Sequence, residues 1–133
     1  MVLIMLKIGD CLTKSFIVTE NMLACNVGSG MLSVLSTPSL IACMENTAAE
    51  LIQKDMEHGC TTVGTHLNIQ HNAPTVNGGE ISVTAVITDI NGRKYSFSLS
   101  AKDAAGDIGS GTHDRFMVMS DKFMEKAKER QSE

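Results

Sequence analysis

The sequence predicts an α+β domain in which one long helix is followed by a set of antiparallel strands. Three observations carry that expectation. Residues 36–59, STPSLIACMENTAAELIQKDMEHG, repeat their apolar positions at the spacing of an amphipathic helix. Residues 60–119 then break into four runs of alternating side chains. Short turns join the last three runs, too short for the crossover that parallel strands need. Strands kept apart from one long helix are the α+β arrangement, and a sheet curled around that helix explains its wide apolar face.

Residues 7–19, KIGDCLTKSFIVT, form an extended opening segment, with Phe16 and Val18 in one register and Ile17 in the other. Residues 20–36 are mixed: Asn26, Gly28, Ser29 and Gly30 mark a loop flanked by Met22, Leu23, Met31, Leu32, Val34 and Leu35. Such a segment lines a pocket, closes over one, or makes a dimer contact. The helix is expected over about 38–58, with Thr37 as N-cap ahead of Pro38 and with His58 and Gly59 closing it. Leu40, Ile41, Met44, Ala48, Leu51 and Ile52 form its apolar face, and Glu50 and Lys54 are spaced as a solvated pair.

The first strand after the helix covers about 60–71, with Val63, Leu67, Ile69 and His71 on one face and Thr62, His66, Asn68 and Gln70 on the other. NAPTVNGG at 72–79 supplies turn residues. The next strand, about 80–90, turns Ile81, Val83, Ala85 and Ile87 inward, and Asn91-Gly92 marks a type I′ hairpin. The return strand, about 93–103, carries Tyr95, Phe97, Leu99 and Ala101 on one face. The last strand, about 107–119, sets Gly109, Gly111, His113, Arg115 and Met117 in one register, and glycines inside a strand signal close approach by a backbone or a ligand. A charged C-terminal helix over about 120–130, capped by Ser120, completes one domain spanning 1–133.

Composition narrows the function classes. The chain has 133 residues, 43% of them apolar, and no run of membrane-spanning length. Its opening MVLIMLKIGD is interrupted too early by Lys7 and Asp10 for a secretory signal, and Met5 is an equally good start, so a cytoplasmic protein is expected. A net charge of −4 with dispersed cations argues against a nucleic-acid surface. Cys11, Cys25, Cys43 and Cys60 lack the spacing of a metal site, so reduced thiols and no metal are expected.

Three side chains stand out chemically. Thr37 offers a hydroxyl at a helix N-terminus, Glu45 is a carboxylate at the margin of the apolar stripe, and His71 is an imidazole on the core face. Hydroxyl, carboxylate and imidazole are the types that acyl transfer uses. Each also has a structural explanation: Thr37 as a cap, Glu45 paired to an arginine, His71 bonded to a carbonyl.

The runs STPSLIACMENTAAELI, TTVGTHLNIQHNAPT and GSGTHDRFMVMSDKF resemble the fluoroacetyl-CoA thioesterase-like family of hotdog-fold proteins, in that family's order and spacing. The resemblance spans residues 7 to about 126 and includes the separation of Thr37 from Glu45 and the pattern of Gly64, Thr65 and His71. It implies a curved antiparallel sheet around a central helix, a homodimer or possible tetramer, and acyl-CoA bound between subunits. It also implies that Thr37, Glu45 and His71 are catalytic and that Gly64 and Arg115 bind substrate. The implied reaction is hydrolysis of an acyl-CoA thioester, with no cofactor because CoA is part of the substrate. On that reading His71 moves protons, Glu45 activates water or attacks the carbonyl, Thr37 supports Glu45, and the Gly64 amide polarises the carbonyl oxygen. The alternative for Arg115 is a structural ion pair. The segment 20–34 departs from the family, with no Phe between Phe16 and Phe97 to close over a small fluorinated group, so a general short- or medium-chain acyl group is expected. A non-catalytic acyl-CoA-binding domain of the same fold, or a dehydratase, is the rival reading.

Overall fold

The computed structural model describes residues 5–132; the start of the apolar opening run, residues 1–4, and Glu133 lie outside them. The elements are β1 (Cys11–Ile17), a 3-10 turn (Glu20–Met22), a short α1 (Ala24–Val27), α2 (Thr37–Gln53), β2 (Cys60–His71), β3 (Glu80–Asn91), β4 (Lys94–Asp103), β5 (Gly106–Met119) and α3 (Ser120–Gln131). The five strands form one sheet in the order β1-β3-β4-β5-β2, with every neighbouring pair antiparallel. β1 and β2 are its edges, and α2, which joins them in sequence, packs against β1, β2, β3 and β4. No helix among the described residues is long and apolar enough to cross a membrane.

Leu40, Met44, Ala48, Leu51 and Ile52 of α2 are buried against Ile81, Val83, Ala85 and Ile87 of β3 and Phe97, Leu99 and Ala101 of β4. The helical period places the stripe, with two adjustments. Ile41 is only half-buried, and Cys43 and Thr47 are buried instead, Thr47 returning its hydroxyl to the Cys43 carbonyl at 2.9 Å. The helix also ends at Gln53, five residues short of the expected 58; residues 54–58 run in turns and Gly59 adopts φ 88° before β2 begins. Glu50 does not pair with Lys54. It meets Lys14 of β1 at 2.9 Å, a contact that ties the helix to the sheet edge.

The β3–β4 hairpin turns on Gly92-Arg93, between the paired residues Asn91 and Lys94. Gly92 alone has positive φ (62°), so the turn follows the II′ pattern rather than the expected I′. Ser120 is the first residue of α3 rather than its cap, which is Met119.

The strand glycines of β5 answer to a backbone. A Cβ on Gly109 would lie 2.7 Å from the Gln70 carbonyl oxygen of β2 and 3.2 Å from Leu40 Cδ2 of α2, and one on Gly111 would collide with the Asn68 carbonyl. Glycine here lets β2, β5 and the helix close on one another. Gly109→Ala is therefore expected to lower stability by about 1–3 kcal/mol, the range for overpacking. Urea unfolding checks this, and a midpoint equal to that of the wild type contradicts the close packing of β2 on β5.

Candidate functional site

The N-terminus of α2 is capped by Ser36, whose Oγ accepts from the Ser39 amide at 3.1 Å, so Thr37 is not the cap as expected. That difference frees its hydroxyl. Thr37 Oγ1 lies 2.8 Å from Nδ1 of His71, the last residue of β2. The other ring nitrogen of His71, Nε2, is buried and has no hydrogen-bond partner among the described residues. Burial pushes the imidazole below its ordinary value, offset in part by the Ala73 backbone. A neutral ring with one nitrogen fixed by a hydroxyl and the other unpartnered is equipped to exchange a proton with a group supplied from outside the chain.

Glu45, two turns further along α2, belongs to a second cluster at the other end of β2. Its carboxylate occupies the space where a side chain on Gly64 would stand. Arg115 of β5, the residue paired with Gly64, places Nη1 3.4 Å from Glu45 Oε2. The guanidinium is buried and held on three sides: Nε donates to Thr62 Oγ1 at 2.9 Å, Nη2 to the Thr62 carbonyl at 3.0 Å, and Nη1 also faces His113 Nε2 at 3.2 Å. His113 is fully buried, stacks on Phe97, and hydrogen-bonds through Nδ1 to the His66 carbonyl at 2.8 Å. A carbonyl only accepts, so Nδ1 carries the proton and Nε2 presents its lone pair to Arg115. Burial, with the Arg115 charge adding to it, holds His113 below its ordinary value. Burial also lowers Arg115, and Glu45 restores part of that loss.

A register shift between Gly64 and His66 makes this geometry. Before it, Thr62 and Gly64 face α2; after it, Leu67, Ile69 and His71 do, the last three paired with His113, Gly111 and Gly109. Val63, expected inward, therefore belongs to the opposite face, beside Phe116. The bulge is tied down by Thr65, whose hydroxyl donates to the Asp114 carbonyl at 3.2 Å. Thr62 and His113 are the site residues that pattern reading did not single out.

Within one chain, then, Thr37 joins His71, Glu45 joins Gly64 and Arg115, and the two groups share no hydrogen bond. Gly64 and His71 lie seven residues apart, six ladder steps once the bulge at Thr65 is discounted, roughly 20 Å at about 3.3 Å per step. The expected convergence of Glu45 and His71 on one cleft is not found in a single chain, and Thr37 contacts His71 rather than Glu45. No group of three or more His, Cys, Asp or Glu side chains able to hold a metal occurs among the described residues.

Comparison with known proteins places this arrangement. The model of the family described as fluoroacetyl-CoA-specific thioesterase matches residues 18–121. The fluoroacetyl-CoA thioesterase of Streptantibioticus cattleyicolor is 32% identical over 97 residues, covering 73% of this chain and 70% of that protein. Crystallised fluoroacetyl-CoA-specific thioesterase FlK, as a point mutant, superposes with a TM-score of 0.90 at 27% identity over 94% of this chain and 97% of that one. A mutant of the same enzyme in complex with fluoroacetate and CoA gives 0.85 at 27% identity, covering 89% and 99%. A thioesterase superfamily member from Thermus thermophilus shares the fold, with a TM-score of 0.84 at 22% identity over 94% and 95%. The sheet wrapped on α2 is the hotdog fold of these structures.

The two depressed imidazoles set a pH dependence of stability. With folded values below the usual 6.5, His71 and His113 take up protons in the unfolded chain first as pH falls. Stability is then full above about 6.5 and declines as pH drops through that value toward the folded ones. The urea midpoint is expected to be lower near pH 5.5 than near pH 7.5, and His113→Asn to narrow that gap. Equal midpoints in the wild type would contradict the burial of these rings.

Proposed function

Because the chain belongs to the fluoroacetyl-CoA-specific thioesterase family, we propose that it hydrolyses a short- or medium-chain acyl-CoA thioester to a carboxylic acid and free CoA, in sites assembled between two copies. The observation that carries this reading is the division of the chemistry along β2: an unpartnered imidazole nitrogen at one end, a carboxylate over a bare glycine at the other.

β2 is a 12-residue edge strand with one side unpaired in the chain. Such an edge pairs readily with another strand, and a two-fold axis makes the pairing antiparallel and closed. With that axis near Leu67 and Asn68, a residue some three positions to one side meets a residue about three positions to the other. His71 of one subunit then lies against the bulge at Gly64 of the second, and Thr37–His71 faces Glu45–Arg115 twice in the dimer. The unpartnered Nε2 gains a carboxylate, water or substrate to work on.

In that site the roles follow from the contacts. Arg115 orients the Glu45 carboxylate, which activates water or attacks the carbonyl carbon. Thr37 holds the His71 ring through Nδ1, leaving Nε2 to manage the proton passing between nucleophile and departing thiolate. Gly64, exposed and without a side chain, lets the thioester approach the strand backbone, whose amide polarises the carbonyl oxygen. The sulfur leaves as CoA, and CoA is substrate rather than resident cofactor.

Purified protein is expected to release free thiol from short acyl-CoAs, with Glu45→Gln and His71→Ala each lowering kcat/KM by about 10²–10⁴. Acyl-CoA binding without thiol release would favour the non-catalytic acyl-CoA-binding domain. Co-expression of the two inactive variants tests the shared site. A mixed dimer carries one site with both residues intact, so a statistical mixture should recover about a quarter of wild-type activity. No recovery would place Glu45 and His71 in sites built from one chain.

A further inference from the structure

The face of the sheet turned away from α2 carries a cavity of about 410 Å³ between the end of β5 and α3. Phe116, Met119 and Phe123 line it and stay 37, 51 and 41% exposed, so none of the described residues fills it. Arg93, Lys122 and Lys126 stand in its walls, and no acidic side chain among the described residues lines it. Among the described residues these three cations have no ion-pair partner, as is also true of Lys54, Lys102, Lys128 and Arg130; what sets the three apart is that they surround one apolar groove. Arg93 already lies over the Phe116 ring, 5.3 Å from its centroid. In a chain of net charge −4, three cations around two aromatic rings form a local basic patch.

We infer that this groove binds the 3′-phosphorylated adenosine diphosphate portion of the CoA thioester, the purine against Phe116 and Phe123 and the phosphates against Arg93, Lys122 and Lys126. The inference rests on the thioesterase reading, because it concerns the far end of that substrate. Its chemistry fits on two counts. An aromatic floor offers a stacking surface for a purine, and guanidinium and ammonium groups make the strong, charge-assisted bonds to phosphate. The volume also falls in the range of small-molecule sites.

Position supports it as well. Phe116 follows Arg115 on β5 and pairs across the ladder with Val63, so the groove floor backs directly onto the Gly64 end of the site. α3 begins where the Ser120 amide bonds to the Gly59 carbonyl at 2.9 Å, at the start of β2. From Cys60 to Gly64 is four residues, ~13 Å of strand, a gap that an extended pantetheine arm bridges around the end of the sheet. A second copy of the chain is the poorer occupant. A two-fold contact through this groove would set Arg93, Lys122 and Lys126 against their own images.

The test compares two thioesters of one acyl group, the CoA ester and the N-acetylcysteamine ester, which lacks the nucleotide. In the Arg93→Ala/Lys122→Ala/Lys126→Ala variant, KM for the CoA ester is expected to rise about tenfold or more. Its kcat, and both constants for the N-acetylcysteamine ester, should stay at wild-type values, which also shows that the variant folds. Calorimetric titration with adenosine 3′,5′-bisphosphate gives a readout independent of turnover: binding to the wild type, weakened by added salt, and lost in the variant. Equal KM for the CoA ester in variant and wild type overturns the inference, as does nucleotide binding that survives the three substitutions. So does a Phe123→Ser variant that dissociates into smaller oligomers, since the groove is then a subunit contact. A wild type that cleaves neither thioester yet binds the nucleotide at these three cations removes the hydrolase reading and leaves the groove assignment standing.

Discussion

A carboxylate lodged in the space where a glycine has no side chain is the constraint on which the site depends. Glu45 projects from α2 toward the sheet, and its carboxylate lies where a Cβ on Gly64 would stand. Arg115 supplies the countercharge, but a buried guanidinium is itself costly unless its donors are occupied. Thr62 takes two of those donors and His113 a third. His113 can accept only because the His66 carbonyl holds its proton on the other nitrogen. Six residues on two strands and a helix are thus interlocked. Because the Glu45 side chain remains 36% exposed, the pair serves orientation more than stability.

The bulge in β2 is what lets one strand serve both halves of the chemistry. Without it, a strand with Leu67, Ile69 and His71 facing α2 would turn Gly64 away from the helix and point Val63 at Glu45. The added residue brings Thr62 and Gly64 back to the inner face while leaving His71 on that same face. The cost is a separation along the strand that no single chain closes. In the dimer we propose, a two-fold axis at the middle of this edge strand would exchange its ends and close that separation.

Much of this was readable in the sequence, for reasons that also mark where reading stopped. The apolar period of α2, the alternation of β3 and β4, and the glycines of β5 are local patterns, and local patterns survive translation into structure. Thr37 and Ser36 are both good caps, and which of them takes the role depends on one φ/ψ choice that composition does not encode. Alternation places Val63 inward because it assumes an unbroken ladder, and a bulge leaves no residue signature as strong as Asn-Gly. Thr62 carries no sequence signal because its partner, Arg115, is 53 positions away and a buried threonine in a strand is ordinary. The sequence puts His113 in the right register, but its role as the acceptor for a guanidinium exists only once β2 and β5 are paired.

The polar side of the site is tightly specified, and the apolar side is not. Arg115, Glu45, Thr37 and His71 each have partners at hydrogen-bonding distance, so a substrate must satisfy them in one geometry. By contrast, the loop leading into Thr37 carries Met31 and Leu32 at 91 and 70% exposure, and the sequence holds no aromatic residue between Phe16 and Tyr95. Methionine adapts to what it meets, and a hydrophobic surface discriminates a methylene group by only about 1–3 kcal/mol. If the proposed site takes its acyl group against this segment, its polar groups would hold the thioester firmly while the apolar surface would read the acyl chain loosely, giving breadth in the acyl group and strictness in the bond that is cut.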